Sequence, residues 1–177
     1  MSEISCDVIV IGAGPAGEVA AGRLADGGLE VVVVENHLVA GECSYYACMP
    51  SKALLRPGDL IDEARRIPGV KEAVTGDIDV ASALARRDEV IHDLDDSVQL
   101  PWLEDKGIRL VRGSGKLTGE KTVTAGEHEI TASRAVVIST GTRPAMPPID
   151  CLADSSPWNN RDATTAKKAP ASMLVLG

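Results

Sequence analysis

The sequence predicts an α/β fold: a parallel sheet with helices on both faces, joined to a small antiparallel β-meander. Three observations carry this. Asp7-Val-Ile-Val-Ile11 and Glu30-Val-Val-Val-Val34 are short, β-branched and apolar at consecutive positions, as strands buried on both faces are. A segment of helical period lies between them. Farther on, Lys121 to Ala125 and His128 to Thr131 alternate in polarity around Gly126, the pattern of a hairpin.

The first strand runs into Gly12-Ala-Gly14-Pro15-Ala16-Gly17. Pro15 suits a first helical turn. Val19, Ala20, Ala21, Leu24 and Ala25 recur at helical spacing up to Asp26, and Gly27-Gly28 stops the helix. The second strand ends in Glu35, followed by Asn36. Each part has a task in a Rossmann-like dinucleotide site. Gly12 permits the tight turn, Gly14 lets the backbone approach a pyrophosphate, and Gly17 lets helix and strand pack closely. The helix N-terminus offers unpaired N–H groups to the phosphates. Glu35, about 20 residues on, can accept from a ribose diol. The acid alone does not separate FAD from NAD.

Composition bounds the function. At 177 residues the chain suits one ordinary domain and the start of another. Aromatics are 2% with no Phe, so the core must be Val, Ile, Leu and Ala. A net charge of −8 without a Lys/Arg cluster argues against nucleic acid or an anionic membrane as partner. No apolar run approaches the length of a transmembrane helix. The N-terminus, Met1-Ser-Glu-Ile4, lacks the basic region of a signal peptide, so a cytoplasmic location is expected.

Four cysteines are present: Cys6, Cys43, Cys48 and Cys151. In a reducing compartment a close pair is catalytic, redox-active or metal-binding more often than a staple. Cys6 enters a strand and Cys151 lies in a Pro-rich stretch, and neither is assigned a redox role. Gly41-Glu42-Cys43 opens a segment compatible with helix through Leu55. In one regular helix, cysteines five apart have Cα atoms roughly 8–9 Å apart, whereas a disulfide needs less than about 7 Å. Cys43 is therefore expected in an irregular turn leading into the helix, with Cys48 in its first turns, near an end whose dipole favours an anion. His37, His92 and His128 show no ligand spacing, so no metal site is expected. Two inert buried thiols remain the alternative.

The combination of Gly12-Ala-Gly-Pro-Ala-Gly17, Glu35 and Gly41-Glu-Cys43-x-x-x-x-Cys48-Met-Pro-Ser-Lys52 strongly resembles the flavin-dependent pyridine nucleotide–disulfide oxidoreductases. Dihydrolipoamide dehydrogenase, glutathione reductase and mercuric reductase belong to that family. The resemblance implies that the first dinucleotide is FAD, with NAD(P)H as the second cofactor of an intact enzyme. Cys48 would be the thiol against the flavin and Cys43 the interchange thiol that meets the substrate. Lys52 would bring its cation to the flavin ring. Implied partners are a small-molecule disulfide or dithiol, or Hg(II), and a second copy of the chain through a C-terminal domain. The sequence departs from the family pattern at Ala40, where a second Gly is common, and at Ser44-Tyr-Tyr-Ala47 inside the bridge. Tyr45 and Tyr46 could shape the substrate side or simply pack.

Arg56-Pro57 is expected to end the thiol-bearing helix, with a separate short helix from Leu60 to Ile67 closed by Pro68-Gly69. Val80 to Lys106 reads as one long, mostly helical stretch with Ala83, Leu84, Val90, Ile91, Leu94 and Val98 as its apolar stripe. Pro101 would kink or interrupt it near Trp102. Arg86-Arg-Asp-Glu89 and Asp93-Leu-Asp-Asp96 are read as its solvated face, without chemistry. Ile108 to Arg112 reads as a strand broken by Gly113-Ser-Gly115, and Ala135-Val-Val-Ile138 as another buried strand.

Ser139-Thr140-Gly141 resembles the family's Ala-Thr-Gly turn beside the flavin nucleotide, and Ser114 and Gly115 match positions that touch the adenine. Plain turns are the rival reading for both pairs. The expected organisation is an incomplete FAD-binding domain over 1–145, a linker over 146–171, and the first strand of an NAD(P)-binding domain over 172–177. The chain is thus expected to be an N-terminal fragment, inactive as a reductase and weak in holding FAD. Two other classes stay open: a flavin-binding module with passive cysteines, and a structural domain with an emptied nucleotide site.

Overall fold

The computed structural model describes residues 2–176. The chain packs as two compact units, Met1–Cys43 with Leu94–Arg143 and Ser44–Asp93 with Pro144–Gly177.

The first unit is built on one six-stranded sheet in the order β3-β2-β1-β6-β5-β4. Its strands are β1 (Ser2–Ile11), β2 (Val31–Glu35), β3 (Arg109–Arg112), β4 (Lys116–Gly119), β5 (Thr122–Ala125) and β6 (His128–Ile138). The β3-β2-β1-β6 pairings are parallel, and β5 and β4 add antiparallel at one side. The alternation of a strand sorts the apolar runs between two faces. Val8 and Val10 of β1 share one face with Val31 and Val33 of β2. On that face α1 (Pro15–Asp26) supplies Ala21, Leu24 and Ala25, and α5 (Leu100–Asp105) supplies Leu100 and Leu103. Ile9, Ile11, Val32 and Val34 point the other way, into a cluster with Val111, Val123 and Ile130. Burying each such Val or Ile is worth about 1.5–3 kcal/mol. With no Phe, many small branched side chains carry the core.

Several strands differ from expectation. β1 begins at Ser2, because β6 pairs with it from Ser2↔His128 to Ile11↔Ile138. The hairpin arm at 128–131 and the run at 135–138 are one strand, β6. Its distal part is not buried as expected: Ile138 is 63% exposed, since β5 pairs with β6 only over 128–131.

The expected helix over 80–106 is broken. It comprises α4 (Val80–Val90), then short 3-10 turns, then α5. His92, Asp93 and Leu94 have φ of 51°, 49° and 65°, three consecutive left-handed residues that no helix tolerates. Pro101 occupies the first turn of α5, where its missing N–H costs nothing, so it starts a helix and kinks none.

In the second unit, α3 (Cys48–Arg66) runs for 19 residues straight through Pro57. The expected stop at Arg56-Pro57 does not occur. Proline at position 57 deprives the Ala53 carbonyl of its helical donor, and Arg86 Nη1 of α4 donates to that carbonyl instead, at 3.2 Å. Asp79 caps α4 by accepting from Ala81 N and Ser82 N. Within residues 146–171, α6 (Asn160–Thr165) opens with a reciprocal capping box between Asn159 and Asp162. Residues 172–176 form no strand, and Leu174 is 85% exposed.

Candidate functional site

The three glycines after β1 divide by what surrounds them. Gly12 has φ 100°, and a Cβ there would lie 2.3 Å from Ser139 O. A Cβ on Gly17 would lie 1.8 Å from Gly12 O. Both are glycine because backbone passes against backbone. Gly14 is different: it caps the N-terminus of α1 at φ −74°, ψ −177°, an ordinary extended conformation. No atom lies within 4 Å of where its Cβ would be. Packing therefore does not explain this glycine, and its open side leaves room for a ligand. Pro15 and Ala16 stand exposed in the first turn of α1, which presents its unpaired N–H groups on this side. Burial pushes the Glu18 carboxyl, also in that turn, above its ordinary range.

Glu35 is buried, and both of its oxygens are engaged. Oε2 accepts from Ala13 N and Oε1 from His37 N, each at 2.7 Å. The carboxylate thus holds the glycine turn and the loop after β2 together. Each oxygen keeps a second acceptor position, so the expected ribose contact is compatible with this structural duty. Asn36 Nδ2 donates to Ser114 Oγ at 3.4 Å. Gly115 has a packing reason, because its Cβ would meet Ile11 Cγ2 at 2.9 Å and Val34 Cγ1 at 3.2 Å. At the end of β6, Ser139 Oγ lies 3.0 Å from Ile11 O and 2.9 Å from Gly12 O. Thr140 follows, exposed, and Gly141 takes the left-handed conformation at φ 67°. Gly41 at φ 56° brings its Cβ direction to 2.8 Å from the Gly14 Cα. Ala40 precedes it at φ 75°, a conformation that accounts for the family's usual Gly.

All these residues belong to the first unit. Gly12, Gly14, Gly17, Glu35, Asn36, Ser114, Gly115, Thr140 and Gly141 lie at or just beyond the ends of β1, β2, β3 and β6, and Gly41 begins α2 beside Gly14. The edge of a parallel sheet where strands end and a helix begins is a standard place for a dinucleotide. The residues present fit the group that the resemblance implies.

The thiol segment differs in detail. Glu42 and Cys43 lie half-buried in a short helix, α2 (Gly41–Tyr45), and not in an irregular turn. The irregularity comes later, at Ala47 (φ −129°, ψ −90°), and Cys48 is the first residue of α3. Ser51 N donates to Ala47 O and Ser51 Oγ to Cys48 O, which fastens the first turn. Cys48 and Lys52 belong to the second unit, where Cys48 is half-buried and Lys52 exposed. Tyr45 and Tyr46 are both buried, so they serve packing. The Arg161 guanidinium sits 4.4 Å from the centre of the Tyr46 ring.

Cys6 sits in the core, its Sγ near Val8 O, and burial pushes its thiol above the ordinary range. Cys151 is exposed, at φ 67°.

The two charge runs hold residues that sequence reasoning missed. Arg87 is fully buried. Its guanidinium pairs with Asp88 and donates to the carbonyls of Thr164 and Ala166. Asp96 accepts from Val39 N at 2.7 Å and pairs with Arg112, which also donates to His37 O. It thereby fixes the loop after Glu35. A signal for Arg87 existed: with Ala83, Leu84 and Ile91 it falls at i, i+3 and i+4 spacing on the inner face of α4. Asp96 had no such signal, since its partners are distant in sequence.

Comparison with known proteins follows the same lines. The profile of the pyridine nucleotide-disulphide oxidoreductase family matches residues 6–177. A dihydrolipoyl dehydrogenase of Vibrio cholerae is 33% identical, over 99% of this chain and 38% of its own length. A mercuric reductase of Staphylococcus aureus is 30% identical, over 97% of this chain and 31% of its own length. The chain thus spans about a third of the length of such relatives. Among solved structures, the Cu(II) complex of the HOCl-induced flavoprotein disulfide reductase RclA from Escherichia coli superposes with a TM-score of 0.73. At 22% identity, covering 92% of this chain and 34% of that one, it shows a shared fold. Glycine turn, buried acid, thiol segment and matched profile agree: the chain belongs to the pyridine nucleotide–disulfide oxidoreductase family.

Proposed function

We propose that this chain supplies the FAD-binding surface and the thiol couple of an FAD- and NAD(P)H-dependent disulfide oxidoreductase, resembling dihydrolipoamide dehydrogenase or mercuric reductase. The observation that carries the FAD assignment is Gly14, a glycine that neither backbone strain nor packing requires, at the N-terminus of the 12-residue α1. In this reading its backbone and the first N–H groups of α1 bind the pyrophosphate, and Glu35 accepts from the ribose. Asn36, Ser114 and Gly115 meet the adenine end, and the Thr140-Gly141 turn lies beside the nucleotide. When bound, FAD carries two electrons between nicotinamide and sulfur.

The chain's own sulfurs do the exchange. Cys43 thiolate attacks the substrate disulfide, forms a mixed disulfide and releases one substrate thiolate. Cys48 then attacks Cys43 sulfur, releases the second thiolate and leaves a Cys43–Cys48 disulfide, so two electrons have passed to the substrate. Lys52 contributes a cation that favours a reduced, anionic ring. The substrate is a small disulfide or dithiol, or Hg(II), and the intact protein works as a homodimer in the cytoplasm. Neither nucleic acid nor membrane is a partner; the charge of −8 supports this. Among the described residues no helix is long and apolar enough to cross a membrane.

The test is a thiol count on the purified chain before and after oxidation by glutathione disulfide, with FAD titrated in parallel. The expected result is loss of two thiols that is abolished in both Cys43→Ser and Cys48→Ser, together with saturable FAD binding. Oxidation that leaves all four thiols titratable would exclude the couple. Absence of FAD binding at millimolar concentration would exclude the flavin surface.

A further inference from the structure

We infer that Arg112 and Asp96 are positioning residues for the ribose of the nucleotide, acting through the loop that follows Glu35; this rests on the FAD site proposed above.

Glu35 is the last residue of β2 and pairs with Arg112 of β3 across the parallel ladder. Its main chain is secured there, because its carbonyl accepts from Gly113 N at 2.9 Å. Its carboxylate is aimed by two N–H groups of different origin. Ala13 N, on Oε2, belongs to the glycine turn, which Gly12 N ties to Val34 O at 2.8 Å. His37 N, on Oε1, belongs to the loop between β2 and α2, outside any strand or helix. The direction in which the carboxylate meets a ligand therefore depends on what fixes that loop.

Arg112 and Asp96 fix it from outside. Arg112 Nη1 donates to His37 O at 2.8 Å, so His37 is gripped through its N–H by Glu35 and through its carbonyl by Arg112. Arg112 Nη2 lies 2.7 Å from Asp96 Oδ2, and the same oxygen accepts from Val39 N at 2.7 Å. Ala40 N then returns to the glycine turn, donating to Ala13 O at 2.8 Å. The Asp96 side chain is only 14% exposed, so water and salt screen this pair less than an open surface pair. A planar guanidinium suits the task, since its two arms span a carbonyl and a carboxylate in fixed directions.

The consequence falls on one part of the nucleotide. Holding Ala13 N and His37 N leaves one acceptor position on each Glu35 oxygen. A ribose diol needs both of them correctly directed, because hydrogen bonds weaken steeply with misalignment. Without Arg112, His37 N would lose its anchor and the carboxylate would turn with it. The pyrophosphate, held by the glycine turn and α1, would keep its donors. The effect is thus a loss of preference for the ribose hydroxyls, and not merely of stability.

The test titrates the 177-residue chain by calorimetry with ADP, which carries the adenine, ribose and pyrophosphate of FAD, and with 2′,3′-dideoxy-ADP, which lacks the diol. The parent should prefer ADP by about tenfold or more, as hydrogen bonds to a charged acceptor allow. Arg112→Met, which keeps the length but removes the donors, should cut that preference at least fivefold, and Asp96→Asn at least threefold. Arg112→Lys, which keeps a cation and a donor, should retain more of it than Arg112→Met. A role in stability alone would weaken both ligands together and leave the ratio of affinities unchanged. Circular dichroism verifies folding at the assay temperature; if Arg112→Met does not fold, Asp96→Asn decides. Folded variants with the parent's preference would overturn the inference while leaving Glu35 as the ribose acceptor. A parent that binds ADP no better than 2′,3′-dideoxy-ADP would overturn both.

Discussion

Gly12 and Gly14 are two residues apart in one motif, yet the structure predicts opposite outcomes for Ala at each. At Gly12 the new Cβ would sit 2.3 Å from a backbone oxygen at φ 100°. Overpacking of about 1–3 kcal/mol and backbone strain of about 1–3 kcal/mol add to roughly 2–6 kcal/mol. For a chain of this length that lowers Tm by about 4–24 °C. At Gly14 the Cβ meets nothing within 4 Å and φ is −74°. Losing a tolerated N-cap residue costs about 0.5–1 kcal/mol, and the stiffer unfolded chain returns about 0.4–1 kcal/mol. Stability should therefore stay within about 1 kcal/mol of the parent. If FAD binds as proposed, the methyl stands where the pyrophosphate would approach, and loss of one charge-assisted hydrogen bond, about 1.5–3 kcal/mol, weakens FAD by about 10- to 100-fold. Thermal melts and FAD titration of Gly12→Ala and Gly14→Ala read both quantities. A Gly14→Ala chain that binds FAD like the parent would refute the assignment of the open side of Gly14 to a ligand. One that unfolds as readily as Gly12→Ala would refute the claim that nothing packs there.

Three further outcomes follow from particular contacts. Ser139→Ala removes the hydroxyl that meets Ile11 O and Gly12 O, and urea unfolding should show a loss of about 1 kcal/mol. Burial alone would raise the Asp88 carboxyl, but Lys167 and Arg87 outweigh it and hold it below its ordinary value of 3.8. A lowered folded value means that Asp88 stabilises the fold above pH ~4 and that this contribution fades as pH falls through the lowered value. Urea midpoints of parent and Asp88→Asn should therefore differ at pH 7 and converge near pH 2; a constant gap would contradict the pairing. Cys151 is exposed and Cys6 buried with its thiol pushed up, so in a Cys43→Ser/Cys48→Ser chain iodoacetamide should label Cys151 first by at least tenfold. Equal rates would show that β1 opens readily.

Local patterns were enough for α1, β2, the second half of β1, the glycine turn and the acid at position 35. Each depends on residues a few positions apart, and period and turn chemistry are local physics. The position of the thiols near a helix start was legible for the same reason, although Cys43 lies in a short helix of its own and the irregular residue is Ala47. The second half was less legible because its decisive contacts are distant. Whether Pro57 ends a helix depends on a donor 33 residues away on α4, and Arg86 supplies it. Whether Arg87 is solvated depends on carbonyls 77 and 79 residues ahead. Whether 135–138 is buried depends on how far β5 extends along β6. The sequence by itself determined which groups are available: a glycine turn at a helix start, a carboxylate at a strand end and two nearby thiols. Only the tertiary structure decided which charges are buried and where the helix through the thiols is interrupted, because burial and hydrogen-bond satisfaction belong to groups that the chain brings together from far apart.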